Sequence, residues 1–166
     1  KDHSCFLKAG AMLLSRKRGI FFLLVGRKVD WKNPYLKQLI EKLGMKEKVF
    51  LLGERRDIPR IMAALDIATC TSVAEGFPNV IGEAMSCGIP CVVTDVGDSA
   101  WLVGDTGTVV PPRNHEALCE AWLKLIEMGS AERQILGEKA RKRIEDHFSI
   151  QKVVKKYEQL YEEQIC

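Results

Sequence analysis

Two glutamates, Glu75 and Glu83, lie eight residues apart in the stretch SVAEGFPNVIGEAMSCGIPCVV, which covers positions 72–93. A carboxylate can accept hydrogen bonds from both hydroxyls of a vicinal diol, orient a sugar, or act as an acid or base. The Gly-Phe-Pro-Asn turn between them predicts that Glu75 lies in a loop and Glu83 in the helix that follows. The spacing therefore points to one ligand that is contacted at two places.

The residues between the glutamates predict a helix start that binds an anion. Pro78 suits the first helical position, because its missing N–H has no acceptor to lose there. The N–H groups of Asn79 and Val80 would then lack acceptors within the helix, and they lie at the positive end of its dipole. Gly76 would let a ligand approach the backbone closely. This arrangement predicts a site for a phosphate or another anion.

Glu83 is expected about one and a half turns into this helix, roughly 7.5 Å along its axis. Helix side chains lean toward the N-terminus, so its carboxylate would reach back toward the anion site. On a helical wheel, Glu83 lies at the edge of a predicted buried face formed by Val80, Ile81, Ala84 and Met85. We therefore expect Glu83 to bind a diol such as a ribose, and Glu75 to face the other end of the ligand.

Apolar, β-rich segments alternate with amphipathic ones along the first two thirds of the chain. The predicted strands are 20–25, 49–52, 67–71, 90–94 and 108–110, and the predicted helices are 5–15, 34–43, 58–65, 79–87, 116–127, 131–146 and 151–163. Alternation of this kind predicts a parallel sheet, and strands that are apolar throughout predict helices on both faces. The expected fold is α/β: one Rossmann-like, doubly wound parallel sheet with C-terminal helices, forming a single domain over 1–166. Ligands of such sheets bind beyond the carboxyl ends of the strands.

Charge is distributed unevenly along the sequence, although the net charge is only +3. Positions 1–64 hold 15 Lys and Arg against 6 Asp and Glu, whereas positions 65–130 hold 2 against 9. The basic part is either a solvated face or a surface for phosphates or anionic lipid. Nucleic acid is not an expected partner, because nucleic-acid motifs are absent and an aromatic content of 7% offers no stacking platform.

The location expected from the sequence is cytoplasmic, with peripheral attachment to a membrane surface through the basic face as a further expectation. The longest apolar run, 20–25, is far shorter than the ~20 residues of a membrane span. The six cysteines contain no Cys-x-x-Cys pair and mostly lie in apolar runs, which predicts buried thiols in a reducing compartment rather than disulfides or a zinc site. The dinucleotide, P-loop and nucleophile-elbow fingerprints are absent from the sequence.

The segment EGFPNVIGEAMSCGIPCVVTD resembles the donor-binding signature of retaining glycosyltransferases of the GT-B, family 4 type (glycosyl transferases group 1). That signature is Glu, seven residues, Glu, then Ala-Met and a strand after a small-Gly-x-Pro break. Other segments resemble further family motifs in the right order: KDHSCFLKA, FLLVGRKVD, VFLLGERRDIPRIMAALDIATCTS and GTVVPPRNHEALCEAWLKLI. The resemblance covers nearly the whole chain.

The resemblance implies that the chain is the C-terminal, nucleotide-sugar-binding half of a two-domain enzyme. The first strand of that half and the N-terminal acceptor-binding domain are then expected outside residues 1–166. The implied reaction transfers a hexose from a nucleoside-diphosphate sugar to a glycan, lipid or small-molecule acceptor with retention of configuration. No cofactor and no metal are implied, and the chain by itself is expected to be inactive.

The resemblance also assigns roles to individual residues. Glu83 would bind the ribose hydroxyls, Glu75 would contact the transferred sugar, and Lys1 would bind the diphosphate, which makes Glu75 and Lys1 the expected catalytic residues. The remaining expected substrate-binding residues are Gly76, Phe77, Asn79 and Val80 through their backbone, Gly26 and Arg27 at a strand end, and Arg55 near the base.

Two alternatives remain open on the sequence. A non-catalytic α/β nucleotide-binding module would use the same helix start and Glu83 without sugar selectivity. A glycoside hydrolase would use Glu75 and Glu83 as its pair of carboxylates. The hydrolase explains the two acids but not the predicted anion-binding helix start between them.

Overall fold

Five short strands and eight α-helices make up the described chain. The computed structural model describes residues 1–165, with side chains described through residue 164. The helices are α1 (His3–Arg16), α2 (Pro34–Lys42), α3 (Ile58–Met62), α4 (Asn79–Ser86), α5 (Ser99–Val103), α6 (His115–Glu127), α7 (Gly129–His147) and α8 (Ile150–Ile165). The strands are β1 (Phe22–Leu24), β2 (Val49–Leu51), β3 (Ala68–Cys70), β4 (Cys91–Thr94) and β5 (Gly107–Val110).

All strand pairs are parallel, and they form two separate sheets. β1 pairs with β2, with Phe22 opposite Val49. β3, β4 and β5 form the second sheet in that order, with Ala68 opposite Cys91 and Cys91 opposite Gly107. The expected α/β class with parallel strands is confirmed, whereas the division of the sheet between β1 and β3 was not foreseen.

Several helices begin at side chains that cap their first turn. Asp2 accepts a hydrogen bond from the Cys5 N–H at 2.9 Å, and Asn114 accepts one from the Ala117 N–H at 2.8 Å. Asn33 caps α2 in the same way, and Pro34 follows it at the first helical position. These caps satisfy N–H groups that have no acceptor inside the helix, which fixes where α1, α2 and α6 start.

The core consists of two clusters on opposite faces of the second sheet. Val92 is fully buried in a cluster with residues of α1, α2 and α6, whereas its neighbours Cys91 and Val93 are buried in a cluster with residues of α4 and α5. Because successive strand residues point to opposite faces, β4 is covered by helices on both sides. This arrangement is the one predicted from strands that are apolar throughout.

The predicted helices agree with the structure to within a few residues, but α5 was not predicted. Five cysteines within residues 1–165 are free thiols; four are buried as expected, and Cys87 is exposed. Cys166, the sixth, lies outside the described residues. Burial raises the pKa of the Cys91 thiol to about 12.

No helix in the described part of the chain is long and apolar enough to cross a membrane.

Candidate nucleotide-sugar site

The loop after β3 holds Glu75 at the carboxyl end of the sheet. Its Oε1 accepts hydrogen bonds from the Lys1 ammonium and, at 2.6 Å, from the Ser72 hydroxyl. The Cys70 thiol lies 3.8 Å from the same oxygen and 3.5 Å from Lys1 Nζ. The structure therefore brings together Lys1 and Glu75, the two residues expected to be catalytic.

These contacts change the acidity of both partners in the ion pair. The hydrogen bond from Lys1, with a second one from Ser72, lowers the pKa of Glu75 below its ordinary value of 4.5. Burial works against the charged form of Lys1, but the contacts with Glu75 and Cys70 outweigh it, and the pKa of Lys1 is raised above 10.5. At neutral pH the pair is a carboxylate and an ammonium.

The last residue of β4 and the loop after it form hydrogen bonds with the backbone of the Glu75 loop. The buried Thr94 hydroxyl donates to Ser72 O at 2.6 Å, and the Asp98 N–H donates to Gly76 O at 2.9 Å. Gly97 has a φ of +51°, and a Cβ there would lie 2.1 Å from Glu75 O. Only glycine fits where the two loops meet, so the loop after β4 fixes the backbone of Glu75.

Ser72 and Thr94 are site residues that the sequence reasoning missed. Both are almost completely buried, although their side chains are polar. The contact of Ser72 could have been predicted, because a serine three residues before a glutamate at a strand end is well placed to donate a hydrogen bond to the carboxylate. The contact of Thr94 was harder to predict, because its hydroxyl donates to a backbone carbonyl that is 22 residues away in the sequence.

The start of α4 differs in detail from the prediction. Pro78 is the residue before the helix rather than its first residue, and α4 begins at Asn79. The Asn79 N–H donates to Phe77 O at 3.0 Å, and Phe77 precedes the helix, so this N–H is already engaged by an acceptor outside α4 rather than left for an anion. Gly76, Phe77 and Asn79 are nevertheless exposed beside the strand ends, as a ligand-binding loop requires.

Glu83 and Val80 line a groove of about 920 Å³ that lies between β1 and β3 and extends along the length of both strands. Gly26, which follows β1, and Arg55, which follows β2, line the same groove. Val80 was predicted to be buried but is 39% exposed, because it faces this groove rather than the core. Four expected substrate-binding residues thus share one cavity.

The two arginines of the prediction have different surroundings. Arg55 makes two hydrogen bonds with Asp57, at 2.8 and 2.6 Å, and both side chains are partly exposed. Arg27 is exposed and does not line the groove. Arg55 is therefore oriented at the rim of the groove, whereas Arg27 is not brought to it.

An exposed aromatic cluster adjoins the Glu75 loop. The Phe77 ring lies 6.3 Å from Trp101 and 5.9 Å from Phe148, and the last two meet edge to face at 4.8 Å. Phe77 and Trp101 are 40% and 58% exposed. The loop is thus bounded by an apolar surface outside the groove. Within the described residues, no group of three or more His, Cys, Asp and Glu is arranged to hold a metal ion.

Fold and site together define an α/β protein with parallel strands, an ion pair of Lys1 and Glu75 at the carboxyl end of β3, and a groove between β1 and β3 that Glu83 and Arg55 line. The family model described as "Glycosyl transferases group 1" matches residues 1–128. The chain belongs to this family of glycosyl transferases. The expected group 1 family and the expected α/β fold class are both confirmed.

Individual relatives agree with this assignment. The chain is 30% identical to N-acetyl-alpha-D-glucosaminyl L-malate synthase of Bacillus anthracis over 126 residues, which is 75% of this chain and 33% of that protein. It is 31% identical to UDP-Gal:alpha-D-GlcNAc-diphosphoundecaprenol alpha-1,3-galactosyltransferase of Escherichia coli over 121 residues, 72% of this chain and 31% of that protein. The chain therefore spans about a third of the length of these relatives.

A solved structure with a similar fold is that of Anabaena Alr3699/HepE in complex with UDP-glucose. Its TM-score with this chain is 0.83 at 27% sequence identity, and the match covers 96% of this chain and 44% of that one.

Proposed function

We propose that this chain is the donor-binding half of a retaining glycosyltransferase that uses a nucleoside-diphosphate sugar. The observation that carries the proposal is Glu75, held beside Lys1 at the end of β3 and directly followed by the helix that bears Glu83. One carboxylate is fixed next to a cation, and the other lines the groove between β1 and β3. A ligand with a sugar, a diphosphate and a ribose has groups for all three positions.

Glu75 suits contact with a sugar because one of its oxygens is left for a ligand. Its contacts with Lys1, Ser72 and Cys70 all involve Oε1. In the described part of the chain, Oε2 accepts no side-chain hydrogen bond, so it can accept one from a sugar hydroxyl. The contacts on Oε1 restrict the carboxylate before the ligand arrives, which reduces the cost of ordering it.

The charges of the pair suit departure of a diphosphate. Lys1 would stabilise the negative charge that develops on the leaving group, and the ionised Glu75 would support positive charge on the sugar. A glycosidase acid instead needs a raised pKa so that it can donate a proton. The lowered pKa of Glu75 therefore argues against its use as the acid of a hydrolase.

UDP sugars are the first donors to test. One relative is named for transfer from UDP-Gal, and a similar structure holds UDP-glucose. We propose hexose transfer to a glycan, lipid or small-molecule acceptor held by a separate N-terminal domain. We also propose a cytoplasmic location, with the basic face as a surface for a membrane.

Calorimetry with UDP, GDP and ADP, each with and without an attached hexose, tests the proposal on the isolated chain. We expect one nucleotide to bind, and its hexose conjugate to bind more tightly. Equal affinity for the nucleotide and its conjugate would instead support a binding module without sugar selectivity. Hydrolysis of an aryl glycoside would support the hydrolase alternative.

Donor binding is also expected to be independent of metal, because Lys1 and the backbone at the start of α4 would offset the diphosphate charge. The affinity for the nucleotide sugar, measured before and after dialysis against EDTA, should then agree within about twofold, a difference of ~0.4 kcal/mol. A requirement for added magnesium or manganese would contradict this part of the proposal.

A further inference from the structure

The buried thiol of Cys70 lies beside the ion pair of Lys1 and Glu75. Cys70 is the last residue of β3 and belongs to the second core cluster. Its Sγ is 3.5 Å from Lys1 Nζ, 3.4 Å from Ser72 Oγ and 3.8 Å from Glu75 Oε1. A buried free cysteine usually behaves as a small apolar side chain, whereas this one has three polar neighbours.

The hydrogens that the four side chains carry determine the direction of these contacts. Ser72 has one hydroxyl hydrogen, and it is donated at 2.6 Å to Glu75 Oε1, because an ionised carboxylate can only accept. The Ser72 oxygen therefore accepts in its contact with Cys70, and the single S–H hydrogen is donated to Ser72 Oγ, the nearer of its two acceptors. Lys1 can only donate, and it donates both to the Cys70 sulfur and to Glu75.

The result is a closed ring of four hydrogen bonds. It runs from Lys1 to Cys70, from Cys70 to Ser72 and from Ser72 to Glu75, and the direct bond from Lys1 to Glu75 closes it. Hydrogen bonds in a fully satisfied network polarise one another and hold its members in one arrangement. Within the described residues the ring uses two of the three Lys1 hydrogens and only Oε1 of Glu75, so one N–H and Oε2 are left for a ligand.

We propose that Cys70 is a positioning residue for donor binding: its thiol completes the ring and thereby orients the Lys1 ammonium and the Glu75 carboxylate. A thiol suits this place, because it packs as an apolar group in the core cluster and is still a weak donor and a weak acceptor. That the two oriented groups meet a diphosphate and a sugar rests on the proposed function, whereas the ring itself does not.

Cys70→Ala and Cys70→Ser test the proposal as a matched pair, because the two new side chains differ only by a hydroxyl. Serine can donate and accept in the ring, and alanine cannot. If the thiol served only for packing, alanine would be tolerated at least as well as serine, since a buried hydroxyl without a partner costs free energy. Cys91→Ala is the control, because Cys91 is a buried cysteine of the same cluster that donates to Ile89 O instead of to the site.

The first measurement is the pKa of Glu75 in the chain without ligand, followed by NMR of its labelled carboxyl carbon and assigned with Glu75→Gln. The pKa of Glu75 is lowered chiefly by Lys1 and Ser72, and further by Cys70. Cys70→Ala removes the last contact and loosens the other two, so it should raise this pKa. Cys70→Ser should return the pKa part of the way to the wild-type value, and Cys91→Ala should not change it.

The second measurement is calorimetry with UDP-glucose and with UDP. We expect Cys70→Ala to weaken binding of UDP-glucose about fivefold and binding of UDP by less than about twofold, since Glu75 serves the sugar. Cys70→Ser should recover most of the loss. The thermal unfolding midpoint is measured for every variant, and Cys70→Val, which fills the space of the thiol with apolar atoms, replaces Cys70→Ala if the alanine variant is unfolded.

Two results would overturn the inference. The first is a pKa of Glu75 that is the same in the wild type and in Cys70→Ala. The second is a serine variant that lies no closer to the wild type than the alanine variant does. A wild-type chain that binds neither UDP-glucose nor UDP would count against UDP donors in the proposed function instead, and the titration of Glu75 would still decide whether Cys70 orients the pair.

Discussion

In the proposed site, Glu75 contacts the sugar and Glu83 contacts the nucleotide. Glu75 is held by Lys1 and Ser72 at the end of β3, whereas Glu83 faces the groove beside Val80. We expect Glu83→Ala to weaken binding of the free nucleotide ten- to a hundredfold, since a hydrogen bond to a charged group contributes roughly 1.5–3 kcal/mol. Glu75→Ala should leave nucleotide affinity nearly unchanged and weaken only the nucleotide sugar.

Calorimetry of both variants with both ligands measures this division. Glu162→Ala is a matched control, because Glu162 is an exposed glutamate on α8, away from the groove. Equal losses from the two site variants, for nucleotide and nucleotide sugar alike, would show that the carboxylates do not have separate roles.

The ion pair between Lys1 and Glu75 predicts how stability depends on pH. Because the pKa of Glu75 is lowered in the fold, its contribution is complete above about 4.5 and is lost as pH falls through the lowered value. Because the pKa of Lys1 is raised, its contribution is complete below 10.5 and is lost only at higher pH. The pair therefore stabilises the fold between these limits.

Glu75→Gln is the variant that tests this, because an amide still accepts the Ser72 hydroxyl but carries no charge. Its unfolding free energy should lie below that of the wild type by up to about 1 kcal/mol near neutral pH, since Lys1 is partly exposed. Denaturant titrations from pH 3 to 8 should show the difference shrinking below pH 4.5. A difference that stays constant into acid would exclude the ion pair as its cause.

At the scale of elements, α7 packs against the turn that ends α4. A Cβ on Gly137 of α7 would lie 1.9 Å from Gly88 O, which is backbone and cannot move aside easily. Gly82 in α4 is a matched helical glycine, because a Cβ added there would meet no atom within 4 Å. We expect Gly137→Ala to lower the unfolding free energy by about 2–4 kcal/mol. Gly82→Ala should be neutral or raise it by up to about 1 kcal/mol.

Equilibrium unfolding in urea compares the two glycine variants directly. If Gly137→Ala were as stable as Gly82→Ala, α7 would have to shift freely on α4, and the close packing between them would not contribute to stability.

The elements with a strong periodic pattern were the ones that the sequence predicted well. Helices such as α2 and α6 have capping residues and an apolar face, and these signals are local. α5 has only five residues, Ser99–Val103, and its buried side chains are recognisable only once β4 and β5 are in place. Its position depends on tertiary packing, which no local pattern encodes.

The order of the site elements along the chain could be predicted from the sequence. The contacts between residues that are distant in the sequence could not. The loop with Glu75, the helix with Glu83 and their place after β3 follow from the sequence. The contact between Lys1 and Glu75 joins residues 74 positions apart, and the bond from Thr94 to Ser72 spans 22. The hydrogen bond from the Asn79 N–H to Phe77 O depends on the geometry of the turn before α4. The presence of Pro78 in the sequence does not determine that geometry.

At the scale of the whole molecule, the groove and the helices suggest that a further domain is needed for turnover. Transfer requires an acceptor oxygen close to the anomeric carbon and protection of that centre from water. Glu75 lies in an exposed loop, and α8 presents an apolar stripe to solvent that consists of Val154, Tyr157, Leu160 and Tyr161. These residues are 45–62% exposed, so the stripe does not pack onto the domain's own sheets. We propose that the acceptor-binding domain covers this stripe.

We therefore predict that residues 1–166 bind a nucleotide sugar but do not transfer it, and that adding the acceptor-binding domain restores transfer. The measurement is product formation with a broad acceptor panel, with and without that domain. Leu160→Asp should abolish the restored activity, because it places a charge in the apolar stripe, yet leave nucleotide affinity unchanged. Gln159→Asp is the matched control on the same helix, since Gln159 is a polar and exposed neighbour, and it should retain activity. Robust transfer by the 166-residue chain alone would show that its site is complete without a second domain.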